Sequence, residues 1–127
     1  MKRLLTLILV ALLGAFAASC EKAYEESYHS LFRTDEAGNR VPRMFTWYDV
    51  TSATGTLAIP IYYSGKWTVQ FAEDSSWAYL DRTEGTGIVT IHVGYLQNDT
   101  GAMRSLILRL TCDNSETLDI TINQASV

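Results

Sequence analysis

From Leu57 onward, apolar residues recur at every second position. Leu57, Ile59, Ile61 and Tyr63 form one such series, and Trp67, Val69 and Phe71 a second. Val89, Ile91 and Val93 follow, then Leu106, Leu108 and Leu110, then Leu118, Ile120 and Ile122. This two-residue period is that of a strand with one buried face. Polar stretches separate the series: Ser64-Gly65, Glu73 to Ser76, Thr83 to Gly87, Asn98 to Gly101 and Cys112 to Glu116. Met44–Asp49 and Trp77–Arg82 read as shorter strands. A sheet with one oily face must be covered, and with no helical period in this stretch the cover has to be a second sheet. The pattern predicts an all-β sandwich of about seven antiparallel strands over residues 44–127. Pro60 has no amide to donate, which places its strand at a sheet edge or at a bulge. Trp67 is the expected centre of the core. Cys112 shares the parity of Leu106 to Leu110 and reads as a small buried hydrophobe.

The N-terminus obeys other rules. Lys2-Arg3 precedes an uncharged run from Leu4 to Ala18, apolar except for Thr6. That run is shorter than the roughly 20 residues needed to cross a bilayer and fits the core of a signal peptide. It ends in Ala17-Ala18-Ser19 directly before Cys20, which resembles the lipobox of bacterial lipoproteins. The resemblance implies a signal peptide over 1–19 and acylation of Cys20, which would anchor the chain to a membrane. Removing residues 1–19 takes away Lys2 and Arg3 and no acid, so the net charge moves from −4 to −6. With Cys20 acylated, Cys112 has no internal partner, and the fold must stand without a disulfide. Residues 20–43 are polar and turn-rich, as in Asp35-Glu36-Ala37-Gly38-Asn39-Arg40, and read as a flexible tether.

Several chemistries find no support. The chain is acidic and has no Lys/Arg cluster beyond the first three residues, so it lacks the basic surface that nucleic acid requires. His29 and His92 have no partners at ligand spacing, and Asp113, Ser115 and Thr117 do not make a calcium loop. Glu73, Asp74, Asp81 and Glu84 fall in or beside turns and read as solvated charge rather than a glycosidase pair. No metal and no cofactor is expected, and the chain is not read as an enzyme.

Residues 55–125 resemble the BACON domain, the Bacteroidetes-associated, carbohydrate-binding, often N-terminal module. Trp67-Thr68-Val69 fills its first element and Ser76-Trp77-Ala78-Tyr79-Leu80 its second. Gly85-Thr86-Gly87 fills its turn, Asn98 and Arg104 the opening of the next strand, and Ile120, Ile122 and Gln124 the last. Arg82 stands where that family often has Pro. The resemblance implies an immunoglobulin-like β-sandwich and a role in carbohydrate binding or as a spacer beside glycan-degrading enzymes.

Sugar binding needs exposed aromatic faces flanked by polar groups. The candidates are Trp47, Tyr48, Tyr62 and Tyr79. The reading is a non-enzymatic, lipid-anchored binding or adhesion module at the outer membrane or cell surface, with glycan the first ligand class to test. The alternative is a structural spacer or an accessory subunit contacting an envelope protein.

Overall fold

The computed structural model describes residues 28–127. The signal-peptide segment, Cys20 and the first part of the expected tether lie outside the described residues. Among the described residues the fold is all-β, with ten strands in three sheets. They are β1 (Phe32–Thr34), β2 (Arg40–Pro42), β3 (Trp47–Val50), β4 (Gly55–Ile61) and β5 (Lys66–Phe71). Then come β6 (Ala78–Leu80), β7 (Glu84–Thr86), β8 (Val89–Tyr95), β9 (Arg104–Cys112) and β10 (Thr117–Gln124).

Two sheets form the sandwich, in the orders β3-β10-β9-β5-β7 and β4-β8-β6. Their inward residues are the alternating series read from the sequence. Ile59, Ile61, Ile91 and Val93 from one sheet meet Trp67, Val69, Leu108, Leu110, Ile120 and Ile122 from the other in one core. Cys112 belongs to it too, and burial pushes its thiol up to about 12, helped by the nearby Glu116 and Asp113 charges. β4 has β8 as its one neighbour, so Pro60 does sit on an edge strand.

Three features differ from the sequence reading. First, β3 runs parallel to β10, pairing Trp47 with Thr121 and Val50 with Gln124, whereas antiparallel strands were expected throughout. Alternation fixes which face of a strand is buried, but it says nothing about which strand lies alongside or in which direction. Second, Gly85-Thr86-Gly87 is more than a turn. Glu84–Thr86 pairs with β5, and Gly85 makes room for the core tryptophan: a Cβ there would lie 2.4 Å from the Trp67 ring. Gly87, at φ 81°, closes the turn, and its carbonyl accepts the indole N–H of Trp67 at 2.9 Å.

Third, the segment expected as a tether is structured from Tyr28 onward. β1 and β2 form a hairpin, with Phe32 opposite Pro42. Leu31 just before it and Met44 just after it are both buried in the sandwich core. Glu116, in the β9–β10 turn, fastens the hairpin. It accepts from the Ser30 hydroxyl (2.7 Å), the Leu31 amide (2.8 Å) and the Arg40 guanidinium (2.7 Å). The same guanidinium lies 4.0 Å from the Phe32 ring centroid. Three residues per strand is too short for an alternation signal, so one leucine, one methionine and a distant glutamate decide the matter.

Candidate ligand-binding groove

The end of the sandwich that carries the hairpin has a concavity of about 590 Å3. Volumes of a few hundred Å3 suit a small organic ligand or a sugar or two. Tyr28, Arg33, Pro42, Arg43, Met44, Phe45, Tyr48, Pro60 and Tyr62 line it. Each comes to the groove for a local reason. Tyr62 lies on the outward parity of β4, two residues beyond Pro60. Tyr28 is placed beside it by its backbone carbonyl, which accepts from the Ser64 amide at 2.9 Å. The two rings stack, with centroids 6.0 Å apart and planes inclined by 27°. Arg43 leaves β2 with its amide bonded to the Leu31 carbonyl (2.8 Å) and its Nε–H to the Ser30 carbonyl (3.1 Å). Its guanidinium then sits 5.5 Å from the Tyr28 ring centroid. Tyr48 points inward from β3 and meets the exposed Phe45 edge-on at 6.3 Å. Burial pushes its phenol above the ordinary tyrosine value, and the neighbouring Tyr62 adds to the shift. The Tyr48 hydroxyl therefore stays protonated at neutral pH and can both donate and accept.

The sequence candidates thus divide. Tyr48 and Tyr62 share the groove. Trp47 is the next residue along β3 from Tyr48 and faces the other way, out from the five-stranded sheet, 61% exposed and bonded to Asp49 at 3.2 Å. Its row continues across the sheet to Thr121 and Ile107. Tyr79 stands on β6, on the outer face of the three-stranded sheet, packed over Gly94. A Cβ on Gly94 would come within 2.2 Å of the Tyr79 ring, so this contact requires glycine. Pairing places Gly94 opposite Thr56, six residues from Tyr62 along β4, about 20 Å at a strand's rise. Trp47 and Tyr79 therefore lie apart from the groove. Tyr28, Arg33, Arg43 and Phe45 went unread because they belong to, or border, the supposed tether. The one available signal was the cluster of Tyr28, Leu31 and Phe32 in an otherwise polar stretch.

A second concavity, of about 580 Å3, lies over β5, β7 and the end of β9, lined by Lys66, Trp67, Glu84 and Asp113 among others. Its tryptophan is buried in the core and offers no open face. Asp113 is engaged by the Tyr63 hydroxyl and the Lys66 amide, and these bonds hold its carboxyl below the usual range. The loop carboxylates are dispersed. Asp81 pairs with His92 beside β6, held below its ordinary value chiefly by the His92 backbone N–H, while Glu84 stands on β7 in the other sheet. Among the described residues no three His, Cys, Asp or Glu side chains gather as metal ligands.

The opposite end of the sandwich is tied by residues that the sequence reading picked out as motif. The Asn98 amide donates to the carbonyls of Ala102 (2.9 Å) and Ala125 (3.2 Å), and its oxygen accepts from the Thr100 hydroxyl at 2.7 Å. Gln124 accepts from the Arg104 Nε–H (2.9 Å) and donates to the Leu96 carbonyl (2.8 Å). The Arg104 guanidinium covers Trp77, 4.5 Å from the ring centroid. Asn98 and Gln124 are fully buried, so these groups close the fold and are not open to a ligand.

Fold and site together define a small β-sandwich module with a shallow aromatic groove at one end. Residues 66–125 match the model of the BACON family, described as "Putative binding domain, N-terminal". Solved structures share the fold. A Bacteroides ovatus GH5 xyloglucanase in complex with a XXXG heptasaccharide superposes with a TM-score of 0.60 at 16% identity, over 76% of this chain and 19% of that one. A protein from Bacteroides thetaiotaomicron solved by NMR gives 0.51 at 15% identity, over 77% of this chain and 89% of that one. An endo-fucoidan hydrolase from glycoside hydrolase family 107 gives 0.50 at 13% identity, over 78% of this chain and 15% of that one. The chain therefore spans less than a fifth of either enzyme. No curated protein matches it in sequence. All the groove residues lie before residue 66, outside the matched segment.

Proposed function

We propose that this chain is a non-catalytic carbohydrate-binding module held at the outer membrane or cell surface by an acylated Cys20. One observation carries the binding half of this reading. Three tyrosines and a phenylalanine converge with two arginines in a single concavity, which is the arrangement that stacks on a sugar ring and orients its hydroxyls. The description of the family as a binding domain supports it, as do the two glycan-acting enzymes among the structures that share the fold. The lipobox supports the anchor: two or more acyl chains, at roughly 0.8 kcal/mol per buried methylene, hold a protein at a membrane stably.

A second reading has its own observation. The outer face of the five-stranded sheet carries Trp47 and Ile107, 61% and 39% exposed, in one cross-strand row. Such a row suits docking to an envelope protein. A polysaccharide screen on the full chain, repeated with Tyr62→Ala and Trp47→Ala, separates the two. The glycan reading expects binding that Tyr62→Ala weakens and Trp47→Ala does not. No binding to any polysaccharide, together with an envelope partner crosslinked near Trp47, would replace it with the second reading. Labelling with radioactive palmitate, lost in Cys20→Ala, tests the anchor.

A further inference from the structure

We propose that the groove selects an anionic saccharide, with a guanidinium answering the acidic group while the sugar ring lies against tyrosine. This rests on the glycan reading of the same groove and goes further by naming the charge of the ligand. The chain as a whole is acidic, at net −4, yet among the described residues the groove lining holds Arg33 and Arg43 and no carboxylate. Three arginines elsewhere are answered internally, while Arg82 stands exposed and forms no ion pair among the described residues. Arg40 pairs with Glu116 at 2.7 Å and Arg109 with Asp119 at 2.9 Å, and Arg104 is spent on Gln124 and the carbonyls of Leu96 and Gln97. Two acids near the hairpin are also committed. Asp35 caps its own loop through the Ala37 and Asn39 amides, and Glu116 is saturated by the hairpin. Arg33 and Arg43 form no ion pair among the described residues. Arg43 is fixed by its bond to the Ser30 carbonyl, while Arg33 projects from β1 in the open.

Two like charges on one wall repel each other, and a bound anion relieves that repulsion. A guanidinium also presents paired N–H donors that match a planar carboxylate or a sulfate. A neutral sugar gains the stacking but leaves both charges unanswered. The discrimination therefore comes from the arginines and the general affinity from the rings.

The test uses the full chain and two matched pairs of polysaccharide, measured by calorimetry. One pair is polygalacturonate and the same polymer with its carboxyls methyl-esterified. The other is a sulfated galactan and its desulfated form. The acidic member of at least one pair is expected to bind about tenfold tighter, the scale of one charge-assisted contact. Which pair responds tells carboxylate from sulfate. The preference should shrink as salt rises from about 50 to about 500 mM, where screening becomes short-ranged. Arg33→Ala, an exposed change, should abolish it, Arg33→Lys should keep part of it, and Arg109→Ala, on β9 and outside the groove lining, should leave it intact. Equal affinity within both pairs, or a preference that survives Arg33→Ala, overturns the proposal. If equal affinity is still lost in Tyr62→Ala, the groove binds neutral glycan and only the charge inference falls. If no polysaccharide binds, both fall.

Discussion

The two ends of this sandwich are built from the same kinds of residue and use them in opposite ways. At the end closed by Trp77, Asn98, Arg104 and Gln124, the side chains of Asn98, Arg104 and Gln124 are spent on the protein itself. The Arg104 guanidinium caps a tryptophan and binds backbone carbonyls, and the two amides are fully buried. At the end closed by the hairpin, Arg33, Tyr62 and Phe45 line an open concavity. The first end lies inside the segment that matches the family, and the second lies wholly before it. The shared signature thus closes one end of the fold, and the open concavity is lined by a flank that the signature does not cover. This fits the solved structures that share the fold at only 13–16% identity.

The contrast can be broken or sharpened by experiment. The largest effect should come from Trp67→Ala. Its buried indole fills the core against Gly85 and bonds the Gly87 carbonyl, so a loss of about 3–5 kcal/mol is expected, enough to unfold the domain. Denaturant titration measures it, and alkylation of Cys112 gives a second readout. That thiol, pushed up to about 12 and buried, should resist iodoacetamide in the native protein and react in the variant. A stability loss below about 1 kcal/mol would show that the tryptophan does not hold the core.

Gln124→Ala should cost about 2 kcal/mol, because it removes a fully buried amide that bonds the Leu96 carbonyl and the Arg104 Nε–H, yet it should leave glycan affinity unchanged. Lost binding at unchanged stability would mean that the signature end is itself the site. Tyr62→Ala should do the reverse, lowering affinity about tenfold or more as loss of a central aromatic contact does, with a smaller drop in melting temperature than Gln124→Ala.

The smallest effect is a pH response of the hairpin. Burial pushes the Glu116 carboxyl up, but hydrogen bonds from Ser30, Asn114, Leu31 and Arg40 outweigh it and hold the group below its ordinary 4.5. A depressed carboxylate stabilises the fold above its unfolded value, and the gain is lost as pH falls through its folded one. Amide exchange over Phe32–Pro42 should therefore quicken, relative to the core strands, only below about pH 4.5. In Glu116→Gln that response should vanish. If hairpin and core exchange stay in step in the wild type, Glu116 is not the clasp.

Legibility in the sequence followed the range of the forces involved. The alternation of Leu106, Leu108, Leu110 and Cys112 announced both a strand and its buried face, and these residues are in the core. Pro60 announced an edge by lacking a donor, and the structure has one there. The aromatics gave no such signal. Trp47 and Tyr48 are adjacent on β3, Tyr48 in the groove and Trp47 on the outer face of the same sheet, and parity alone could not say which, since both faces of that strand carry a ring. Asn98 read as an ordinary turn residue in a polar stretch, whereas its burial depends on carbonyls at Ala102 and Ala125 that the fold brings to it.

By itself, the sequence determined that this is a two-sheet sandwich and which face of each longer strand is buried. Those follow from hydrophobic periodicity and turn chemistry, both properties of a few consecutive residues. Only the tertiary structure decided that residues 28–43 are part of the body, that β3 joins β10 in parallel, and that Tyr28, Arg43, Tyr48 and Tyr62 share one groove. Each of these turns on contacts between residues far apart in the chain, such as Leu31 with Glu116, and no local pattern records them.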